Sequence, residues 1–209
     1  MFTKKEEMKW RCPHCGERQL NEVYVRLSVR EEPASLNRIL DTSLFKVTCQ
    51  NCGHEEYYTG PLLYVDEERK LMAAMGDVHD FAKEKDAYLA LGYAVRQVPE
   101  IVDLCEKILI SENGRDDRII ELMKAANTVL LKGQQYDQML YAPDEDNIYF
   151  ELIKDAGSIG RIPFMEAVYD DMKERFAADL MNECDDETVI DLSWSHTIQN
   201  LPINMRTEL

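Results

Sequence analysis

Two short cysteine pairs, Cys12-Pro13-His14-Cys15-Gly16 and Cys49-Gln50-Asn51-Cys52-Gly53, constrain this chain more than any other feature of it. Two residues separate the cysteines of each pair, so each forms a tight turn whose sulfurs point the same way, closed by a glycine able to take positive φ. Four thiolates on two such turns make a complete tetrahedral shell for one zinc ion, with Cys12, Cys15, Cys49 and Cys52 as ligands. A filled shell leaves no position for water or substrate, which points to a structural ion rather than a catalytic one. Iron in a rubredoxin-like site uses the same turns and a redox dithiol uses one pair alone; these are the alternatives. His14 lies inside the first pair and His54 just after the second, so a histidine replacing a thiolate is an alternative, but four thiolates already fill the shell.

The remaining cysteines, Cys105 and Cys184, stand alone and read as apolar core filler. Six cysteines in 209 residues, four of them paired, fit metal binding in a reducing compartment better than a disulfide framework. The opening Met1-Phe2-Thr3-Lys4-Lys5-Glu6-Glu7 has no apolar stretch for a signal peptide, and nowhere do about 18 apolar residues run together. A cytoplasmic protein without membrane association is therefore expected. Lysine plus arginine number 24 against 40 acidic residues, a net charge of −16. The surplus is uneven: residues 1–75 carry 11 basic and 12 acidic side chains, residues 76–209 carry 13 and 28. An acidic surface repels a polyanion, which argues against nucleic acid as a partner. A basic stripe from Arg11, Arg18, Arg26, Arg30 and Arg38 would be needed, and Glu17, Glu22, Glu31 and Glu32 offset it locally.

Along the chain, residues 1–9 read as a charged, frayed lead-in. Val23, Val25, Leu27 and Val29 alternate with polar residues, the period of a strand with one buried face. Pro33 suits the start of a short helix through Leu40. Leu44–Thr48, His54–Thr59 and Leu62–Val65 read as extended, so both cysteine turns join strands, as in a zinc ribbon.

The connecting text carries a resemblance. Cys-Pro-x-Cys, then Asp41-Thr42-Ser43-Leu44-Phe45 before Cys-x-x-Cys-Gly-His, then Pro61-Leu62-Leu63-Tyr64-Val65-Asp66 and Lys70-Leu71-Met72, is similar to the bacterial CpXC family. Ala94-Val95-Arg96-Gln97-Val98, Glu106–Ile110 and Gly114–Leu122 continue the match, which runs over about residues 8–124. It implies a zinc-binding domain without an assigned activity. Gln50 departs from the pattern, which prefers proline there; no ligand is lost.

Asp66–Arg69 predicts a hairpin between Leu62–Val65 and Lys70–Met75, with a helix over Leu71–Met75 as the competitor. Val78, Phe81, Ala82 and Leu89 suit a helix, and Tyr93–Val98 a strand. Pro99 opens a helix with Ile101, Val102, Cys105, Ile108 and Leu109 on one face, ended at Asn113-Gly114. Asp116 caps a second helix to about Lys132, with Ile119, Ile120, Met123, Ala126 and Leu130 as its stripe, and the two should pack as a hairpin. Residues 133–147 read as a linker. Beyond it come a strand at Ile148–Ile153, a loop at Gly157–Gly160, a helix from Pro163 to Met181 and a final strand from Thr188 to Trp194. The tail after Asn200 reads as loosely held.

The expected architecture is α+β: a CpXC-type domain over 8–132, made of a zinc-ribbon-like β part (8–76) and a helical hairpin (77–132), then a small acidic α+β unit over 143–209. No catalytic or organic-cofactor motif stands out. Gly157-Ser158-Ile159-Gly160-Arg161 lacks the lysine and length of a phosphate loop. Asp116-Asp117 suits a helix N-terminus, and His79, Asp80 and His196 have no nucleophile elbow to join. Met72, Met75, Met123, Met139, Met165, Met172 and Met181 read as core. A non-catalytic interaction module that binds a protein partner is the leading functional expectation. An enzyme with a cleft between the two parts and nucleic-acid binding through the ribbon are the alternatives.

Overall fold

A computed structural model describes residues 2–182 and 187–199. They form a mixed α/β protein that divides into two compact units, Met1–Cys105 and Glu106–Leu209.

The first unit holds β1 (Lys4–Arg11), β2 (Arg18–Ser28), α1 (Ser35–Leu40), β3 (Lys46–Thr48), β4 (Glu55–Tyr57), β5 (Leu62–Asp66), β6 (Leu71–Met75), α2 (Phe81–Ala90) and β7 (Ala94–Val98). Its main sheet has the order β1-β2-β5-β6-β7, while β3 and β4 pair with each other. Every residue of β5 and β6 is buried. Strands covered on both faces need continuous apolar runs, and Leu62–Val65 and Leu71–Met75 supply them. The hairpin wins over the helix at Leu71–Met75 because Asp66 builds the turn: its Oδ1 accepts from the Glu68 and Arg69 N–H groups, each at 3.0 Å. One face of these strands packs on Tyr88 of α2 and on Tyr93.

The charged lead-in is a strand. β1 pairs antiparallel with β2 from Lys4↔Arg26 to Arg11↔Arg18. It is an edge strand, exposed along most of its length, so it carries charge where a core strand would alternate. Two further boundaries shift: α1 begins at Ser35 rather than Pro33, and Ser43–Phe45 is a 3₁₀ turn that precedes β3.

The helix α3 (Ile101–Glu112) straddles the division. After it, the second unit holds α4 (Asp117–Leu130), β8 (Gln138–Pro143), β9 (Ile148–Lys154), β10 (Gly157–Pro163), α5 (Glu166–Arg175), α6 (Ala177–Asn182) and α7 (Leu192–Gln199). Ile119, Ile120, Leu122 and Met123 of α4 share one core with Tyr141, Phe150, Leu152, Tyr169, Trp194 and Ile198. The expected linker over 133–147 therefore contains β8, an edge strand of the antiparallel sheet β10-β9-β8, with Met139 and Tyr141 buried at the strand period.

Three more readings change. The expected loop at Gly157–Gly160 belongs to β10; the reversal lies one step earlier, where Asp155 (φ 49°) and Ala156 (φ 59°) make a two-residue turn of the left-handed type that matches strand twist. The single helix to Met181 is two, α5 and α6, parted at Phe176, and Met165 and Met181 are 59% and 87% exposed rather than in the core. The final strand is instead the helix α7. Asp191 Oδ1 accepts the Trp194 N–H at 2.8 Å, capping it, and Trp194 and Ile198, four residues apart, bury one face. Cys184 and the tail from 200 onward lie outside the described residues.

The second unit also buries charge that the helical periodicity hid. Glu106, Lys107, Asp117, Glu121 and Lys124 are all at most 9% exposed. Lys107 reaches Asp117 at 3.0 Å and the Ile190 carbonyl at 2.6 Å; Lys124 reaches Glu106 at 2.7 Å and Glu121 at 2.9 Å. Burial disfavours the Lys124 charge, but its two carboxylates outweigh that and raise its pKa. The Glu121 carboxyl is pushed up by burial, against the pull of the same lysines.

Candidate metal centre

The two cysteine turns are built alike. In the first, the Gly16 N–H donates to the Cys12 carbonyl at 2.9 Å and the Cys12 N–H to the Glu17 carbonyl at 2.8 Å. In the second, Gly53 donates to Cys49 at 2.9 Å and Cys49 to His54 at 2.8 Å. Both closing glycines have positive φ, 76° and 72°, a conformation that a side chain would strain. One turn links β1 to β2 and the other links β3 to β4. Cys12 and Cys49 are buried, Cys15 and Cys52 exposed.

These turns bring all four sulfurs within 4.8 Å of one another. Cys12 lies 3.6 Å from Cys52, and Cys15 lies 3.6 Å from Cys49. A tetrahedron of sulfurs about 2.3 Å from a central zinc has edges of about 3.8 Å. The separations across the two turns are compatible with a metal shell, and too long for an S–S bond of about 2.0 Å.

Electrostatics of the bare thiols point the same way. The Glu17 backbone, then the Asn51 amide 3.6 Å away, stabilise the Cys15 thiolate and bring its pKa down to about 6. The His54 backbone favours the Cys52 thiolate too, but desolvation and the other three sulfurs outweigh it and push Cys52 up to about 12. Four sulfurs this close cannot all ionise unless a cation joins them.

Gln19 fastens one turn to the other. Its amide nitrogen donates to the Thr48 carbonyl at 3.0 Å, and its oxygen accepts the Gln50 N–H at 3.0 Å. Gln50 thus uses an N–H that a proline could not offer. No local pattern marks Gln19 as part of the site, since its partners are about thirty residues away.

The other candidate residues stay outside this cluster. His14 and His54 stack on each other, ring centres 5.8 Å apart, and neither belongs to the four-sulfur group. Cys105 is half-buried and gives its S–H to the Ile39 carbonyl at 3.4 Å. Asp116 caps α4 through the Arg118 N–H at 2.9 Å, while Asp117 enters the buried ion network. His79 and His196 are exposed, and Arg161 of the expected loop pairs with Glu151. Of the arginines considered for a basic stripe, Arg26 is bound to Glu84 through both carboxylate oxygens and Arg38 lies over the Tyr24 ring. Among the described residues no helix is long and apolar enough to cross a membrane.

A family profile described as CpXC protein matches residues 10–124, a span that includes both cysteine turns. No curated protein and no solved structure matches the chain.

Proposed function

The chain belongs to the CpXC family, and from that premise we propose that Cys12, Cys15, Cys49 and Cys52 hold one structural zinc ion in a zinc-ribbon-like site that stiffens a non-catalytic, protein-binding module. The observation that carries this reading is the set of four sulfurs within 4.8 Å of one another, with two separations of 3.6 Å running from one turn to the other. Thiolates in tetrahedral array select zinc or iron, and zinc adds no redox chemistry. Four protein ligands leave the ion no open position, so its work is to fix the two turns against each other. The acidic surplus of the chain supports a basic protein partner over a nucleic acid.

Elemental analysis of protein purified without added metal tests this directly. One zinc per chain is expected, lost in the double substitution Cys49→Ser and Cys52→Ser. Iron in its place, or metal retained by the double variant, overturns the assignment.

A further inference from the structure

Beside the metal-binding turns, the first unit has a cavity of about 300 Å³ lined by Met8, Trp10, Val47, Glu56, Tyr57 and Tyr58, with Thr59 and Gly60 at one end. It is at the small end of ligand sites, enough for one long side chain. Three of its walls are aromatic. An indole and two phenol rings carry negative faces of the kind that attract cations. The described residues include several cations seated over rings, such as Lys5 on Tyr24 and Lys70 on Tyr93, but none over Trp10, Tyr57 or Tyr58.

The charged residue in the lining of the cavity is acidic. Glu56 lies in its wall, where one carboxylate oxygen accepts the Trp10 indole N–H at 3.2 Å. That bond fixes the carboxylate beside the ring, and among the described residues its second oxygen has no partner. Glu6 stands on the same face of β1 as Met8 and Trp10, and its charge acts on the Tyr58 hydroxyl, which burial first of all holds above its ordinary pKa. Glu6 is paired with Lys4 at 2.6 Å, and Lys46 with Glu55 at 2.6 Å, so Glu56 is the carboxylate that the cavity offers a cation. Gly60 closes the end on Tyr58: a Cβ there would run into the phenol ring, so a larger residue would displace the ring.

We infer that this aromatic, acid-edged cavity receives the side chain of a lysine or arginine presented by a basic segment of a partner protein. Three rings and a fixed carboxylate suit an organic cation whose apolar stem also needs cover, which describes these two side chains. A polypeptide fits better than a free small cation because β1, which carries Met8 and Trp10, is the outer strand of its sheet and can be joined by an extended segment. Residues 1–75, which hold the cavity, carry 11 basic against 12 acidic side chains, so the rings and the Glu56 carboxylate, rather than the net charge, select the basic side chain. This inference rests on the reading of the chain as a protein-binding module, and supplies the chemistry of its partner.

The test uses the full, zinc-loaded chain and a short peptide in which lysine alternates with serine. Binding should shift the Trp10 indole N–H resonance, identified by its loss in Trp10→Phe. Affinity should fall about tenfold in Tyr57→Ala and in Glu56→Gln, the loss expected of one partly desolvated cation–ring contact or ion pair. Tyr57 is 53% exposed, so its truncation spares the core. The same peptide with acetylated lysines should not bind, and the double variant Glu145→Gln and Asp170→Asn, in the second unit, should bind as the parent does. Equal affinity of the parent and both cavity variants, or an unmoved Trp10 signal, overturns the inference, as does a shift of equal size from tetramethylammonium at the same concentration. Zinc is assayed on every sample: loaded protein that ignores the peptide refutes the cavity and leaves the metal assignment standing, whereas protein without zinc refutes that assignment.

Discussion

Lys124 lies 2.7 Å from Glu106 and 2.9 Å from Glu121, with all three side chains at most 7% exposed. Glu106 also accepts the Tyr141 N–H, so the lysine binds α3 and α4 to the sheet edge through shared charge. Lys124→Met leaves the buried Glu106 without its cation and Glu121 with only Lys107, 3.4 Å away, and breaking a buried pair costs about 3–5 kcal/mol. Urea denaturation followed by circular dichroism should show a loss of that order. A change below about 1 kcal/mol would mean that water already reaches the network.

Arg26 and Glu84 pair in the first unit at 2.7 Å, with side chains 22% and 28% exposed. The Arg26 guanidinium holds the Glu84 carboxyl below its ordinary value of 4.5. A depressed folded pKa means that the pair contributes fully above pH 4.5 and loses its contribution as pH falls through the lower, folded value. Glu84→Gln should therefore lower stability at pH 7 by about 1 kcal/mol, and the gap to the parent should close on acidification. A gap that widens toward acid would contradict this sign.

Ala156 occupies the second place of the β9–β10 turn at φ 59°, where a Cβ is unfavourable. Glycine removes that strain but adds freedom to the unfolded chain, so Ala156→Gly should stabilise by about 0.5–1 kcal/mol net. The thermal midpoint should rise by a few degrees. A fall would show that the turn relaxes at no cost.

Gln50→Pro would delete the N–H that reaches Gln19 and fix the backbone φ at that position. We expect a loss of about 1 kcal/mol, the worth of one such bond, together with faster zinc transfer to a competing chelator. Slower transfer than in the parent would show that the rigidity of proline outweighs the bond.

Metal removal should act locally. β3 and β4 are three residues each, and zinc sites of this kind contribute about 10–16 kcal/mol of apparent free energy at neutral pH. Under a strong chelator with reductant, amide exchange should quicken at Gly16, Cys49 and Gly53 while β8–β10 stay protected by their own core of Tyr141, Phe150 and Leu152. Protection that persists at the cysteine turns would separate them from any metal.

The cysteine turns were legible because their information is local: two residues between thiols and a glycine after them dictate the turn whatever surrounds it. The same holds for the β5–β6 hairpin, whose apolar runs and Asp66 turn lie within fifteen residues of one another. β1 was not legible, since an edge strand made of lysines and glutamates shows its nature only once β2 is beside it. α7 was misread because Thr188–Trp194 favours a strand by propensity, while the Asp191 cap and the burial of Trp194 and Ile198 decide for a helix. The five-membered ion network, the Gln19 clasp and the aromatic cavity likewise join residues distant in sequence. Sequence alone determined which thiols could share a metal; tertiary structure alone decided what stands around them, because long-range pairing leaves no periodic mark on either partner.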